Sequence, residues 1–121
     1  DNLKKIFLFG ASGFIGSILV NGLNHLNYKI IALDKENLKY NNTSSSIITF
    51  NVDLLKFQNI NKIDRIDYFI HAAGVHFIKP IRFISSRDID KALSINLKSP
   101  ILISKYFQDK KIFKRPCSVV F

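Results

Sequence analysis

The stretch Ile6-Phe7-Leu8-Phe9-Gly10-Ala11-Ser12-Gly13-Phe14-Ile15-Gly16 decides the fold of this 121-residue chain. Its apolar start reads as a buried strand. The residues after the glycines repeat apolar side chains at helical steps. A strand that turns through glycines into a helix gathers unpaired backbone N–H groups and the positive end of a helix dipole at one point, which suits a pyrophosphate. Gly10 permits the tight turn, Gly13 lets backbone approach a phosphate, and Gly16 lets helix and strand pack closely. Ser12 offers a hydroxyl donor, and Phe14 and Ile15 complete this candidate site on the helix side. The spacing is G-x-x-G-x-x-G rather than the commoner G-x-G-x-x-G.

Outward from the turn, strand-like and helix-like segments alternate. The first strand is expected at Lys4–Phe9, and the first helix at Gly13–Leu26 through Phe14, Ile15, Ile18, Leu19, Leu23 and Leu26. A second strand, Lys29–Leu33, ends at Asp34, and residues 35–46 read as a polar loop. A third strand, Ile47–Val52, ends at Asp53 before a short helix over Leu54–Ile63. A fourth, Ile66–Ile70, runs into His71-Ala72-Ala73-Gly74. A long helix over Ser86–Asp109 precedes a fifth strand from Ser118 to Phe121. This alternation predicts βαβ units and a parallel sheet with helices on both faces, in one domain spanning residues 1–121.

Composition excludes more than it selects. The net charge of +9 is carried by scattered lysines, the densest group being Lys110-Lys111 with Lys114-Arg115. No helix shows a continuous basic face and no aromatic-basic interleaving appears, so a solvated basic surface is expected and no nucleic-acid partner. The one cysteine, Cys117, excludes an internal disulfide and fits a reducing compartment. Its apolar surroundings predict a buried, inert thiol. Lys4-Lys5 before the apolar stretch Ile6–Val20 imitates a secretory signal, but removing it would delete the first strand. No run is long enough to span a membrane, so a cytoplasmic protein is expected, and no metal site.

Further residues sharpen the ligand. A carboxylate at Asp34, ending the second strand, accepts hydrogen bonds from adenosine ribose hydroxyls and repels a 2′-phosphate, which favours NAD over NADP. Lys35 beside it compensates in part. Asp53 and Leu54 mark the next strand end. Asp53 is open to two roles there, acceptor for an adenine amino group or N-cap of the following helix. The small residues Ala72, Ala73 and Gly74 let a cofactor ribose approach the backbone. His71 reads as a hydrogen-bonded core histidine, and His25 and His76 as surface residues. On the long helix, Ile89, Leu93, Leu97, Ile101 and Ser104 trace one face, with Asn96 at its edge. Pro100 has no N–H, so the Asn96 carbonyl loses its helical donor. A kink is expected there, with the carbonyl and the side-chain amide of Asn96 left for a water or a ligand.

Together these residues resemble the N-terminal half of a short-chain dehydrogenase/reductase. The resemblance rests on Gly10 to Gly16, Asp34, Asp53, His71-Ala72-Ala73-Gly74 and Ile95-Asn96-Leu97-Lys98-Ser99-Pro100, and covers essentially the whole chain. It implies a Rossmann-like, doubly wound α/β fold with strand order 3-2-1-4-5, stopping after the fifth strand. It also implies hydride transfer between a nicotinamide cofactor and a carbonyl or alcohol substrate. In that family the asparagine matching Asn96 belongs to a catalytic tetrad with Ser, Tyr and Lys, and its main-chain carbonyl holds a relay water. The other three members would follow Phe121, so the chain alone is expected to show no turnover. Tyr106-Phe107-Gln108-Asp109-Lys110 spells Tyr-x-x-x-Lys but lies on the helix before the fifth strand, where it is expected to face solvent or a partner. The glycine spacing and the His-Ala-Ala start resemble the extended branch of nucleotide-sugar epimerases and dehydratases. Ala-Ala-Gly and Asn-Leu-Lys-Ser-Pro look more like the shorter single-domain reductases, which the balance favours. A non-catalytic dinucleotide-binding module stays open as well. The family's long helix often packs against its copy, which implies a homo-oligomer.

Overall fold

The computed structural model describes residues 3–35, 47–51 and 65–121. Asp53, Leu54 and the short helix expected over Leu54–Ile63 lie outside the described residues, as does the loop over 36–46. Five strands form one parallel sheet: β1 (Lys5–Phe9), β2 (Lys29–Asp34), β3 (Ile47–Asn51), β4 (Ile66–His71) and β5 (Phe113–Val120). Their order is β3-β2-β1-β4-β5, as the sequence implied.

The central strand explains the two-layered core. Ile6, Phe7, Leu8 and Phe9 are all buried, as a parallel strand covered on both faces requires. Alternate residues serve opposite faces. Phe7 and Phe9 join Ile31, Leu33, Phe69, Ile103 and Phe107 on one side, while Leu8 joins Ile30, Ala32 and Val20 on the other. Register then places the site: Phe9 pairs with Leu33 on β2 and with His71 on β4. The residues that follow β1, β2 and β4 therefore emerge along one carboxyl edge, the usual place for a ligand in such a sheet.

The first helix, α1, spans Phe14–His25, but its buried stripe is not the one its apolar residues suggested. Gly16 and Val20 are buried, with Leu19 and Leu23 packed beside them, while Phe14, Ile15, Ile18 and Leu26 are 83%, 63%, 57% and 66% exposed. The close approach at Gly16 turns its face inward, and positions one or two residues away fall outside that stripe.

The long helix is divided in three. Ser85 opens α2 (Ser86–Leu93) with a capping box, its hydroxyl accepting from the Asp88 N–H while the Asp88 carboxylate accepts from the Ser85 N–H. Lys79 also binds that carboxylate at 2.8 Å, and these donors hold the Asp88 pKa down at about 2. A π turn, Ser94–Lys98, then leads into α3 (Ser99–Asp109). Ser99, Pro100, Ile103 and Phe107 are the buried face of α3. The stripe Ile89, Leu93, Leu97 and Ile101 is exposed. Tyr106 departs from expectation, packing partly buried against the core instead of facing solvent.

Strand β5 begins at Phe113, five residues before the expected start at Ser118. Pro116 lies inside this strand. At the edge of the described sheet a proline is tolerated, because the N–H it lacks has no obligatory partner. The register slips between the Ile66–Phe113 and Tyr68–Ser118 pairs, which absorbs the extra residues. Cys117 is half-buried, and burial together with the nearby Asp67 carboxylate pushes its thiol pKa up, against a reactive role. Among the described residues no helix is long and apolar enough to cross a membrane.

Candidate functional site

The glycine turn is held by contacts that leave no room for side chains. Gly10 has φ +81°, and a Cβ there would stand 2.4 Å from the Ala73 nitrogen. A Cβ on Gly16 would stand 1.9 Å from the Gly10 carbonyl oxygen. Backbone bonds tie the turn to both neighbours: the Gly10 N–H donates to the Leu33 carbonyl at 3.0 Å, and the Ala72 N–H to the Phe9 carbonyl at 2.9 Å. Gly13 is the N-cap of α1, with no capping side chain and no acidic residue in the first turn. The N–H groups of Phe14, Ile15 and Gly16 therefore have no acceptor within the helix, and nothing negative on it competes for them.

Asp34 is engaged by this turn. Its Oδ2 accepts the Ser12 N–H at 3.0 Å and the Ser12 hydroxyl at 2.7 Å. The hydroxyl that the sequence assigned to a phosphate thus points to the second strand, and its single proton goes to a carboxylate, the stronger acceptor. Ser12 orients Asp34 in this arrangement.

Eight of the expected residues meet in one cleft of about 250 Å³: Gly10, Ser12, Gly13, Asp34, Lys35, Ala72, Ala73 and Gly74. Val75 and Ile95 also line it. Sequence reasoning missed both, because each is an ordinary aliphatic residue with no chemical signal of its own. Phe14 and Ile15 sit in the first turn of α1 with exposed side chains and are not among the residues lining the cleft.

The Asn96 side-chain amide is not left for a ligand. Its Oδ1 accepts the Val75 N–H at 2.8 Å and its Nδ2 donates to the Val75 carbonyl at 2.8 Å. An extended backbone offers that donor–acceptor pair, and a primary amide matches both. The expected kink takes the form of the π turn, a frequent mark of functional sites. Pro100 still denies the Asn96 carbonyl its α-helical donor.

His71 is a core residue, 7% exposed, with its Nε2 3.1 Å from the Ser99 hydroxyl. His25 and His76 are exposed. Burial lowers the His71 pKa below its ordinary 6.5. The unfolded chain therefore binds a proton that the folded chain refuses, so stability is full above pH 6.5 and falls as pH drops below it. Urea midpoints of the wild type should decline from pH 7.5 to 5.5 by more than those of His71→Gln. Parallel declines would show that His71 does not titrate this way.

A model of the NAD-dependent epimerase/dehydratase family matches residues 6–101, a span that holds the glycine turn, Asp34, the cleft and Asn96. The chain belongs to that family. Solved structures agree in fold. A short-chain dehydrogenase from Leptospira borgpetersenii with bound NAD+ is 25% identical with a TM-score of 0.75, over 91% of this chain and 48% of that one. A short-chain dehydrogenase family protein from Francisella tularensis is 25% identical with a TM-score of 0.82, over 98% and 50%. A 4-hydroxyisoleucine dehydrogenase complexed with NADH is 26% identical with a TM-score of 0.76, over 97% and 54%. The chain thus spans about half the length of these structures. No curated protein matches its sequence.

Proposed function

We propose that this chain holds NAD in the cleft at the carboxyl edge of the sheet, as the dinucleotide-binding part of an oxidoreductase acting on a carbonyl or alcohol. The observation that carries the reading is the convergence of Asp34 and the glycine turn on one cleft. The residues fit the cofactor. Gly13 and the first N–H groups of α1 receive the pyrophosphate, aided by the helix dipole. Asp34 accepts from the adenosine ribose hydroxyls, with Ser12 fixing its carboxylate and Lys35 beside it. Ala72, Ala73 and Gly74 leave space for the cofactor's ribose, and the Asn96 carbonyl, without a donor from Pro100, holds a water for proton relay. Asp53 and Leu54 are assigned to the adenine end on sequence grounds. Bound NAD supplies the hydride acceptor. Within these residues we assign binding and no turnover; oxidation of NADH by this chain with a carbonyl acceptor would overturn that division.

Calorimetric titration tests the reading. NAD should bind more tightly than NADP. Asp34→Ala should weaken NAD by about tenfold to a hundredfold, the loss of hydrogen bonds to a charged acceptor, and narrow the preference between the two. Absence of NAD binding would sink the assignment, and tighter binding of NADP would remove the role of Asp34.

A second reading, that the whole protein is an epimerase or dehydratase, is favoured by the family model that matches. Cofactor balance separates the two: a net oxidoreductase changes one NAD per product, an epimerase none.

We also propose a second copy of the chain as the partner of the exposed stripe Leu93, Leu97, Ile101 and Leu102, an apolar strip along α2 and α3. Sedimentation should show a dimer or larger species that Leu97→Asp dissociates. A wild type that stays monomeric at high concentration would refute it.

A further inference from the structure

The π turn changes which groups are bonded around Asn96. In it the Ser99 N–H donates to the Ser94 carbonyl, one residue further back than in an α-helix. The Ile95 carbonyl thereby loses its α-helical donor, and the next residue, Pro100, has no N–H to offer. The Ser99 hydroxyl takes its place, donating to the Ile95 carbonyl at 2.7 Å. With its one proton so used, that hydroxyl accepts from His71, whose Nε2 lies 3.1 Å away and carries the hydrogen.

Both side chains are buried, His71 7% and Ser99 3% exposed, so water does not replace either bond. The chain of bonds runs from the last residue of β4 into the helix at the residue before Asn96. A second tie joins the same two elements, the paired bonds between Asn96 and Val75. The two ties bracket Ala72-Ala73-Gly74, the wall of the cleft, and Ile95, whose carbonyl ends the first tie, lines the cleft from the helix side. Gly74 completes the fit, since a Cβ there would lie 3.2 Å from the Asn96 Oδ1.

We propose that His71 and Ser99 are positioning residues: they lock the π turn in register, and so hold Asn96 and Ile95 against the cleft wall. Neither lines the cleft, so any effect on a ligand there passes through the turn. The link to NAD rests on the cofactor reading above, whereas the lock itself is tested without ligand.

Amide hydrogen exchange on the whole chain reads the lock directly, because the Val75 N–H is protected only while Asn96 stays in place. Ser99→Ala should speed Val75 exchange about tenfold while Phe7 and Leu8 in β1 keep their protection. Unchanged Val75 exchange overturns the proposal. Should Ser99→Ala lower protection everywhere, His71→Gln decides, since a glutamine amide restores a donor near the position of Nε2. Val75 protection near the wild-type level in His71→Gln, with tenfold faster exchange in His71→Phe, supports the lock; equal behaviour of the two overturns it. NAD titration then extends the test. Ser99→Ala should weaken NAD about tenfold, and adding it to Asn96→Ala should cause no further loss. Multiplying losses would overturn the positioning role. A wild type that binds no NAD would remove the cofactor reading and leave the exchange result standing.

Discussion

Gly16→Ala is expected to lower the free energy of unfolding by roughly 3 kcal/mol or more and to abolish measurable NAD binding. The added Cβ would lie 1.9 Å from the Gly10 carbonyl oxygen and 2.8 Å from its carbon, both backbone atoms that no rotamer change moves away. The Gly10 carbonyl is itself fixed. It accepts the Gly13 N–H at 3.1 Å, and the residue's own N–H is bonded to Leu33 across the sheet. Relief therefore requires α1 to retreat by roughly 1.5 Å, which opens the packing of Val20 against Leu8 and shifts the N–H groups of its first turn. Gly22 is the matched control on the same helix. A Cβ there meets nothing within 4 Å, so Gly22→Ala should stabilise the protein by about 0.5–1 kcal/mol. Urea unfolding of both variants decides. Equal midpoints would mean that the contact of Gly16 with the turn carries no weight.

Phe7→Ala should cost about 3–5 kcal/mol, a large share of the roughly 5–15 kcal/mol that keeps a domain of this kind folded. The Phe7 ring is fully buried and meets Phe107 edge-on at 4.7 Å, Phe9 at 5.1 Å and Phe69 at 6.1 Å. Its removal leaves a cavity between the sheet and α3 that rigid neighbours fill poorly. Because Phe7 and Phe107 touch, the double variant should lose less than the two single losses combined. A cost below about 1 kcal/mol for Phe7→Ala would show that this side of the core collapses freely.

The readable parts of the chain were those whose meaning is local. The turn from Phe9 to Gly16 specifies its conformation within a few residues, and Asp34 ends a strand whose apolar run is unambiguous. Strand order followed from the resemblance that these residues support. What escaped depends on partners distant in sequence. Nothing near Asn96 announces that its amide will meet the Val75 backbone, and nothing near Ser12 that its hydroxyl will choose Asp34. The π turn was half legible: Pro100 signalled a disturbance, but Ser99 and His71 decide its form. Helix α1 misled because its most apolar positions are not those beside its glycine. Strand β5 starts ahead of the apolar run that signalled it, because pairing with β4 carries it back to Phe113.

The bonds from Ser12 to Asp34 have a consequence for the thermodynamics of ligand capture. If Asp34 receives a ribose as proposed, a carboxylate clamped by two donors has little side-chain freedom left to lose when the ligand arrives. That ordering entropy is lost when the sheet folds, not when the nucleotide binds. Affinity is thereby made to depend on how firmly the second strand is held against the glycine turn. Warming, or any change that loosens this junction, should release the nucleotide before the fold itself gives way.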